Sequence, residues 1–367
     1  MKVLHILNSL ATGGAEKLVA DTVPLYNKKG ITTDVLVFQN NDYAFHRALE
    51  SAECCKIYNL NTSSVYNPIS IFKMMPIIRQ YDIVHAHLFP GQYYLVLSKI
   101  FIFSKTKLIF TEHNTTNRRL ENKIFKAIDK WIYKFYDQII AISPEIQQML
   151  IGHTGFTKKR IQVIENGVKI ESIVQAKPYN KSDIHPKIQE SDKLMIQVAG
   201  FREQKDQETL IKAMALTPAD FKLVLVGEGI TKERCQTLVQ SLKLQDRVFF
   251  LGIRTDIPNL LKTANVVVLA SHFEGMSLSS IEGMASGKPF VASDVPGLHE
   301  MVNGHGVLFE DKNEKQLADS LIALLNNDSY YKKVANACVE HAKKFDIQIM
   351  VDKHIELYQE VYVETTV

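Results

Sequence analysis

The sequence predicts an α/β protein built from two doubly wound, parallel-sheet domains. Short aliphatic runs alternate with stretches of helical period from one end of the chain to the other. The alternation loses its period once, between Lys169 and Asp192, and then restarts. A length of 367 residues with 46% hydrophobic content is enough for two buried cores.

Taken in order, the first half gives strands near residues 2–8, 31–38, 56–60, 82–86, 107–112, 137–142 and 160–164, with helical patterns between them. Residues 1–172 read as one domain. Pro178, Pro186 and polar neighbours mark 173–192 as a linker. The second half restarts with strands near 194–199, 221–226, 247–251, 265–270, 289–292 and 306–309, a domain spanning 193–345. Helical patterns follow at 313–327 and 329–343, and a last one covers 346–363.

Composition narrows the function. The net charge is only +3, but residues 1–170 carry 21 Lys/Arg against 13 Asp/Glu and the remainder 22 against 27. A basic first half suits an anionic surface or a phosphate-bearing acceptor, and equally an accidental surface imbalance. No nucleic-acid partner is expected. Cys54, Cys55, Cys235 and Cys338 show no metal spacing and read as buried thiols in a reducing, cytoplasmic compartment. The first strand leads straight into a glycine loop, so no signal peptide is expected. The longest apolar tract, Tyr93 to Phe103, is broken by Lys99 and is shorter than the roughly 20 residues a membrane span needs.

The most informative stretch runs from Ser271 to Glu300. The apolar strand Asn265–Ala270 enters a small-residue loop, and a helix follows from Leu278 to Ser286, stopped by Gly287. Free N–H groups at that helix start favour an anion such as a diphosphate. Glu274 and Glu282 flank this anion site and suit hydroxyl groups of a ribose and a hexose better than phosphate. Upstream, Gly200-Phe201-Arg202-Glu203-Gln204-Lys205 follows another strand. Arg202 as a fork and Lys205 as a point charge make a diphosphate clamp that could replace a metal ion. Gly13 and Gly14 follow the first strand, where backbone can approach a ligand closely, although a plain turn would use them too. The G-x-G-x-x-G fingerprint is absent, against a nicotinamide or flavin enzyme.

The strand-G-x-R-x-x-K segment at Gly200–Lys205, the pair Glu274/Glu282, Val226-Gly227-Glu228-Gly229 and Asn166-Gly167-Val168 together resemble the retaining, GT-B-fold glycosyltransferases of family four. The resemblance implies two Rossmann-like domains facing across a cleft, with residues 346–367 crossing back to the first. It implies a nucleotide-sugar donor, UDP-sugar being favoured, a glycan or lipid-linked glycan acceptor, and no cofactor or metal. By resemblance Arg202 and Lys205 stabilise the departing phosphate, Glu274 orients the donor sugar, and Glu282 takes the ribose hydroxyls. Gly275, Met276, Ser277, Leu278 and Ser279 offer backbone N–H groups. Gly13, Gly14, Gly227 and Ile253 line the donor, and His113 meets its sugar. Two mechanisms stay open, front-face substitution and Glu274 as nucleophile. The rival functions are a GT-B-fold UDP-sugar epimerase and an inactive nucleotide-sugar-binding scaffold.

Two further features are read from the residues. His85 and His87 share a strand face, yet no third ligand is spaced to complete a metal site. The helical pattern 118–136 places Arg119, Lys123, Lys126, Lys130 and Lys134 on one stripe, and Ile124, Ile128, Trp131, Ile132 and Phe135 on another. Such a helix could rest on an anionic leaflet as a peripheral anchor, or bury its apolar side in the core.

Overall fold

The structure is a computed structural model that describes residues 1–39, 43–113 and 123–363. The chain divides into two compact units, Met1–Gly167 with Ile347–Val367, and Val168–Asp346. Each is a parallel sheet flanked by helices, the architecture expected from the alternation.

In the first unit the described strands are β1 (Lys2–Leu7), β2 (Thr32–Val37), β3 (Ile57–Asn59), β4 (Ile83–Ala86), β5 (Lys107–Glu112), β6 (Gln138–Ala141) and β7 (Ile161–Val163), ordered β3-β2-β1-β4-β5-β6-β7. After Lys2, every residue of β1 is buried, as a strand covered on both faces requires. The chain reverses its direction of travel between β1 and β4, so the crevice at a doubly wound sheet's switch point opens at their carboxyl ends. His5 of β1 pairs in register with His85 of β4.

The C-terminal helix Ile347–Val363 belongs to this first unit. Its His354 Nδ1 lies 3.0 Å from the Tyr26 hydroxyl, and Tyr358 OH lies 2.7 Å from His85 Nδ1. Both aromatic side chains are buried, and Lys29 pairs with Asp352 at the rim.

The second unit orders its described strands β10-β9-β8-β11-β12-β13, with β8 Lys193–Val198, β9 Phe221–Val226, β10 Val248–Gly252, β11 Val266–Leu269, β12 Phe290–Ser293 and β13 Val307–Phe309. Its switch point lies between β8 and β11. The two loops singled out in the sequence, Gly200–Lys205 and Ser271–Ser277, leave the carboxyl ends of these two strands.

The stretch 173–192, expected as a linker, lies within the second unit. It contains the short helix Lys181–Ile184, buries Ile173, Ile184 and Ile188, and Tyr179 N–H donates to Thr263 Oγ1 at 2.8 Å. Those isoleucines are too widely separated to give a period, yet each finds an apolar neighbourhood.

Candidate functional site

Three loops meet at the carboxyl edge of the second sheet. Phe201 N–H donates to Glu228 O at 2.9 Å, so the loop after β8 crosses the Gly227-Glu228-Gly229 loop after β9. That crossing requires glycine. Gly227 has φ of 141°, and a Cβ there would lie 2.2 Å from Ala199 O. Gly229 has φ of 153° and would meet Phe201 O at the same 2.2 Å. On the other side, Gln204 Nε2 donates to Phe273 O at 2.7 Å and Gln204 O accepts from His272 N–H at 2.8 Å. Gln204 therefore ties the arginine–lysine loop to the glutamate loop.

The tie brings Lys205 Nζ to 2.5 Å from Glu274 Oε1, and Ser271 Oγ donates to the same oxygen at 2.5 Å. Glu274 is only 5% exposed, so its charge is compensated at close range rather than by water. Its other oxygen, Oε2, has no partner among the described residues. Arg202 is exposed and its side chain makes no ion pair or hydrogen bond among the described residues, leaving its guanidinium able to take an incoming anion. It lines a cavity with Lys212, Arg234, His272 and Lys312. His272 is braced by Asp311 at 2.8 Å and lies 3.7 Å from Asp206.

The helix Leu278–Ala285 begins at Ser277, whose side chain makes no capping bond to it. Its first-turn N–H groups thus keep the anion-binding capacity expected of them. Glu282 and Met276 are buried, and Gly275, Ser277, Leu278 and Ser279 are partly exposed. Gly283 seats the helix on the sheet, since a Cβ there would lie 2.6 Å from the Phe290 ring. Ile253 is 53% exposed beyond the end of β10.

Sequence reasoning missed Gly297. Its φ is +84°, and a Cβ would lie 2.2 Å from Glu274 O, while Glu274 N–H donates to Pro296 O at 3.2 Å. The turn after β12 thereby fixes the backbone of Glu274. A Pro-Gly pair following a strand was the available signal.

In the first unit Gly13 caps the helix Gly14–Lys28 after β1, and His113 follows β5, half-buried. His113 Nε2 lies 3.1 Å from His87 Nδ1, and His87 Nε2 lies 2.7 Å from His5 Nδ1. The expectation that no third ligand is spaced to complete a metal site with His85 and His87 misses His5, which register across β1 and β4 delivers. Spacing along one strand cannot reveal a neighbour from another. Here most of the nitrogens are taken up by each other and by hydroxyls, with His85 Nε2 at 2.7 Å from Thr111 Oγ1, while His5 Nε2 is left without a partner. Burial lowers all four imidazoles: His5 to about 3, His113 to about 4, and His85 and His87 well below the ordinary value.

The helix Lys123–Tyr133, open to two readings in the sequence, exposes much of its apolar stripe. Ile132 is buried, but Ile124 is 71%, Ile128 38% and Trp131 47% exposed, alongside exposed Lys126, Lys130 and Lys134. The apolar residues thus split between two faces. The inward side is anchored instead by Asp129, bound by Tyr93 and by His153 at 3.0 Å. Arg119 and residues 118–122 lie outside the described residues.

Two parallel-sheet Rossmann-like units are the architecture of the GT-B fold. The glycosyltransferase family 4 model matches residues 12–172 and the glycosyl transferases group 1 model residues 180–345, and the chain belongs to these glycosyltransferases. It is 27% identical over 356 residues to the N-acetylgalactosamine-N,N'-diacetylbacillosaminyl-diphospho-undecaprenol 4-alpha-N-acetylgalactosaminyltransferase of Campylobacter jejuni, covering 92% of this chain and 94% of that one. It is also 27% identical over 313 residues to the Escherichia coli UDP-Gal:alpha-D-GlcNAc-diphosphoundecaprenol alpha-1,3-galactosyltransferase, covering 80% and 79%. Anabaena HepE, solved with UDP and glucose, shares the fold with a TM-score of 0.84 at 22% identity, over 98% of this chain and 100% of its own. No helix among the described residues is long and apolar enough to cross a membrane.

Proposed function

We propose that the protein transfers a hexose from a UDP-sugar to a hydroxyl of a lipid-linked glycan, with retention and without a required metal, in surface polysaccharide synthesis. The observation that carries this reading is the contact of Lys205 with Glu274 at a switch-point edge, beside an exposed Arg202 and an uncapped helix start. Such an edge offers cations and N–H groups to a diphosphate, and a carboxylate oxygen to a sugar hydroxyl, within one loop cluster.

In this reading Arg202 and Lys205 neutralise the diphosphate, and more strongly as charge grows on the departing β-phosphate. That difference lowers the barrier. Glu274 Oε2 accepts from a hexose hydroxyl and Glu282 from the ribose. The N–H groups of residues 275–279 meet sugar and phosphate, Gly227 and Ile253 border the nucleotide, and Gly13 and Gly14 let backbone approach the diphosphate. His113 donates to the sugar. With Glu274 Oε1 held by Lys205 and Ser271 and Oε2 engaged by a hexose hydroxyl in this reading, front-face substitution is favoured over attack by this carboxylate. A leaving-phosphate oxygen then removes the acceptor hydroxyl's proton.

Relatives named for diphospho-undecaprenol acceptors support a lipid-linked substrate, and in this reading the protein sits on the cytoplasmic side as a peripheral enzyme. The exposed Ile124, Ile128 and Trp131 with flanking lysines suit an anionic leaflet. The test is transfer from a panel of UDP-sugars to a diphosphoundecaprenol-linked sugar, with the anomeric configuration read by NMR. Retained configuration is expected, and inversion contradicts the mechanism. Flotation with anionic liposomes tests the surface, and binding indifferent to anionic lipid overturns it.

A further inference from the structure

Two buried histidines of the first unit and the half-buried His113 form a chain whose polarity can be worked out. His5, His87 and His113 are linked in series, Nδ1 to Nε2 and again Nδ1 to Nε2, at 2.7 and 3.1 Å. Burial holds each imidazole neutral at physiological pH, so each carries one N–H and one bare nitrogen. One proton stands in each link, which leaves two consistent arrangements. In one, protons point from His113 inward, and His5 must carry its own on Nε2. In the other, they point from His5 outward, and His113 carries its own on Nδ1.

The inner end decides between them. His5 Nε2 is buried and has no hydrogen-bond partner. The inward arrangement strands an N–H donor there, whereas the outward one strands only a lone pair. Unpaired buried N–H groups are the rarer of the two in folded proteins. His85 keeps the chain in place from the side. Its ring stacks on His87 with centroids 4.2 Å apart, and its nitrogens take the hydroxyls of Tyr358 and Thr111. The outer end is open, for His113 Nδ1 has no partner among the described residues.

We propose that His5 and His87 are positioning residues that fix His113 in the Nδ1-protonated tautomer, so that it presents an N–H donor at the carboxyl edge of the sheet. His113 is then a hydrogen-bond donor and not a base. The effect on turnover rests on the reading of His113 as a sugar-binding group; the tautomer does not.

The test uses the full chain labelled with 15N-histidine, with long-range 1H–15N correlation reporting which ring nitrogen of each residue bears the proton and His113→Gln assigning that residue's signals. In the wild type His113 and His87 are expected to be protonated on Nδ1. In His5→Met, which removes the donor and offers His87 Nε2 only a weak thioether acceptor, a mixture of tautomers is expected at both, with kcat lowered about tenfold and KM little changed. His5→Asn places an amide N–H near the former Nδ1 and should restore the signature and most of kcat. A wild-type His113 protonated on Nε2, or a signature unchanged in His5→Met, overturns the proposal. If His5→Met fails to fold, the wild-type spectrum alone decides. Absence of UDP-sugar transfer would sink the donor-site reading while leaving the tautomer measurement intact.

Discussion

Lys205 Nζ lies 2.5 Å from Glu274 Oε1, across 69 residues of sequence. The ammonium and carboxylate expected to serve different parts of a donor are thus partners before any donor arrives. Each holds the other in place, and each must exchange part of that contact for phosphate or sugar.

Glu274→Ala therefore separates the two roles. It removes the sugar contact but frees Lys205 for the diphosphate. kcat should fall by about 100-fold or more, in the range of losing one transition-state contact, while the UDP dissociation constant stays within a few-fold. Calorimetric titration beside steady-state kinetics checks this. Parallel losses in both would contradict it.

The two cations differ in what they do for the fold. Arg202 has no partner to abandon, so Arg202→Ala should leave the melting temperature unchanged while weakening UDP about tenfold, as expected for a charge-assisted hydrogen bond. Lys205→Met leaves Glu274 buried with only Ser271 as partner. Breaking a buried pair costs about 3–5 kcal/mol, and Lys205 is itself partly exposed, so the lower end is expected. Chemical denaturation of both variants distinguishes them.

Gly297→Ala tests the support beneath Glu274. A side chain there faces both a positive φ and the carbonyl oxygen of Glu274. A loss of about 1–3 kcal/mol is expected, with kcat reduced because the loop must shift. A variant as stable and active as the wild type would show that the turn carries no such constraint.

Acid should weaken the first unit. Burial pulls His5 and His354 from the ordinary 6.5 down to about 3. Between those values the unfolded chain binds protons that the folded one refuses, so stability is intact above pH 6.5 and is lost as pH falls toward 3. Each such histidine removes about 1.4 kcal/mol per pH unit in that window. The melting temperature should hold steady from pH 8 to 7 and fall below 6.5. A flat profile down to pH 5 would contradict the burial argument.

Much of this was legible in the residues. Strand runs such as Val266–Leu269 and the loops after them announced both sheets and the switch-point loops, because parallel strands and glycine turns are local signals. Contacts between strands were not. His5 beside His85, Gln204 against Phe273, and Gly297 against Glu274 depend on register and loop crossing, which no spacing along one segment encodes. The residues of the Lys123–Tyr133 helix could not choose between its two readings for a related reason. Its apolar residues follow a helical period, but Asp129, satisfied by His153 and Tyr93, faces inward and turns Ile124, Ile128 and Trp131 to solvent.

The account rests on the edge formed by Arg202, Lys205 and Glu274 as the donor diphosphate site. Its most direct test is calorimetric titration of the wild type and the Arg202→Ala/Lys205→Ala variant with UDP. Saturable one-to-one binding by the wild type, weakened at least about a hundredfold in the double variant, is the result predicted from two lost charge-assisted contacts. Equal affinity in the two proteins would contradict it.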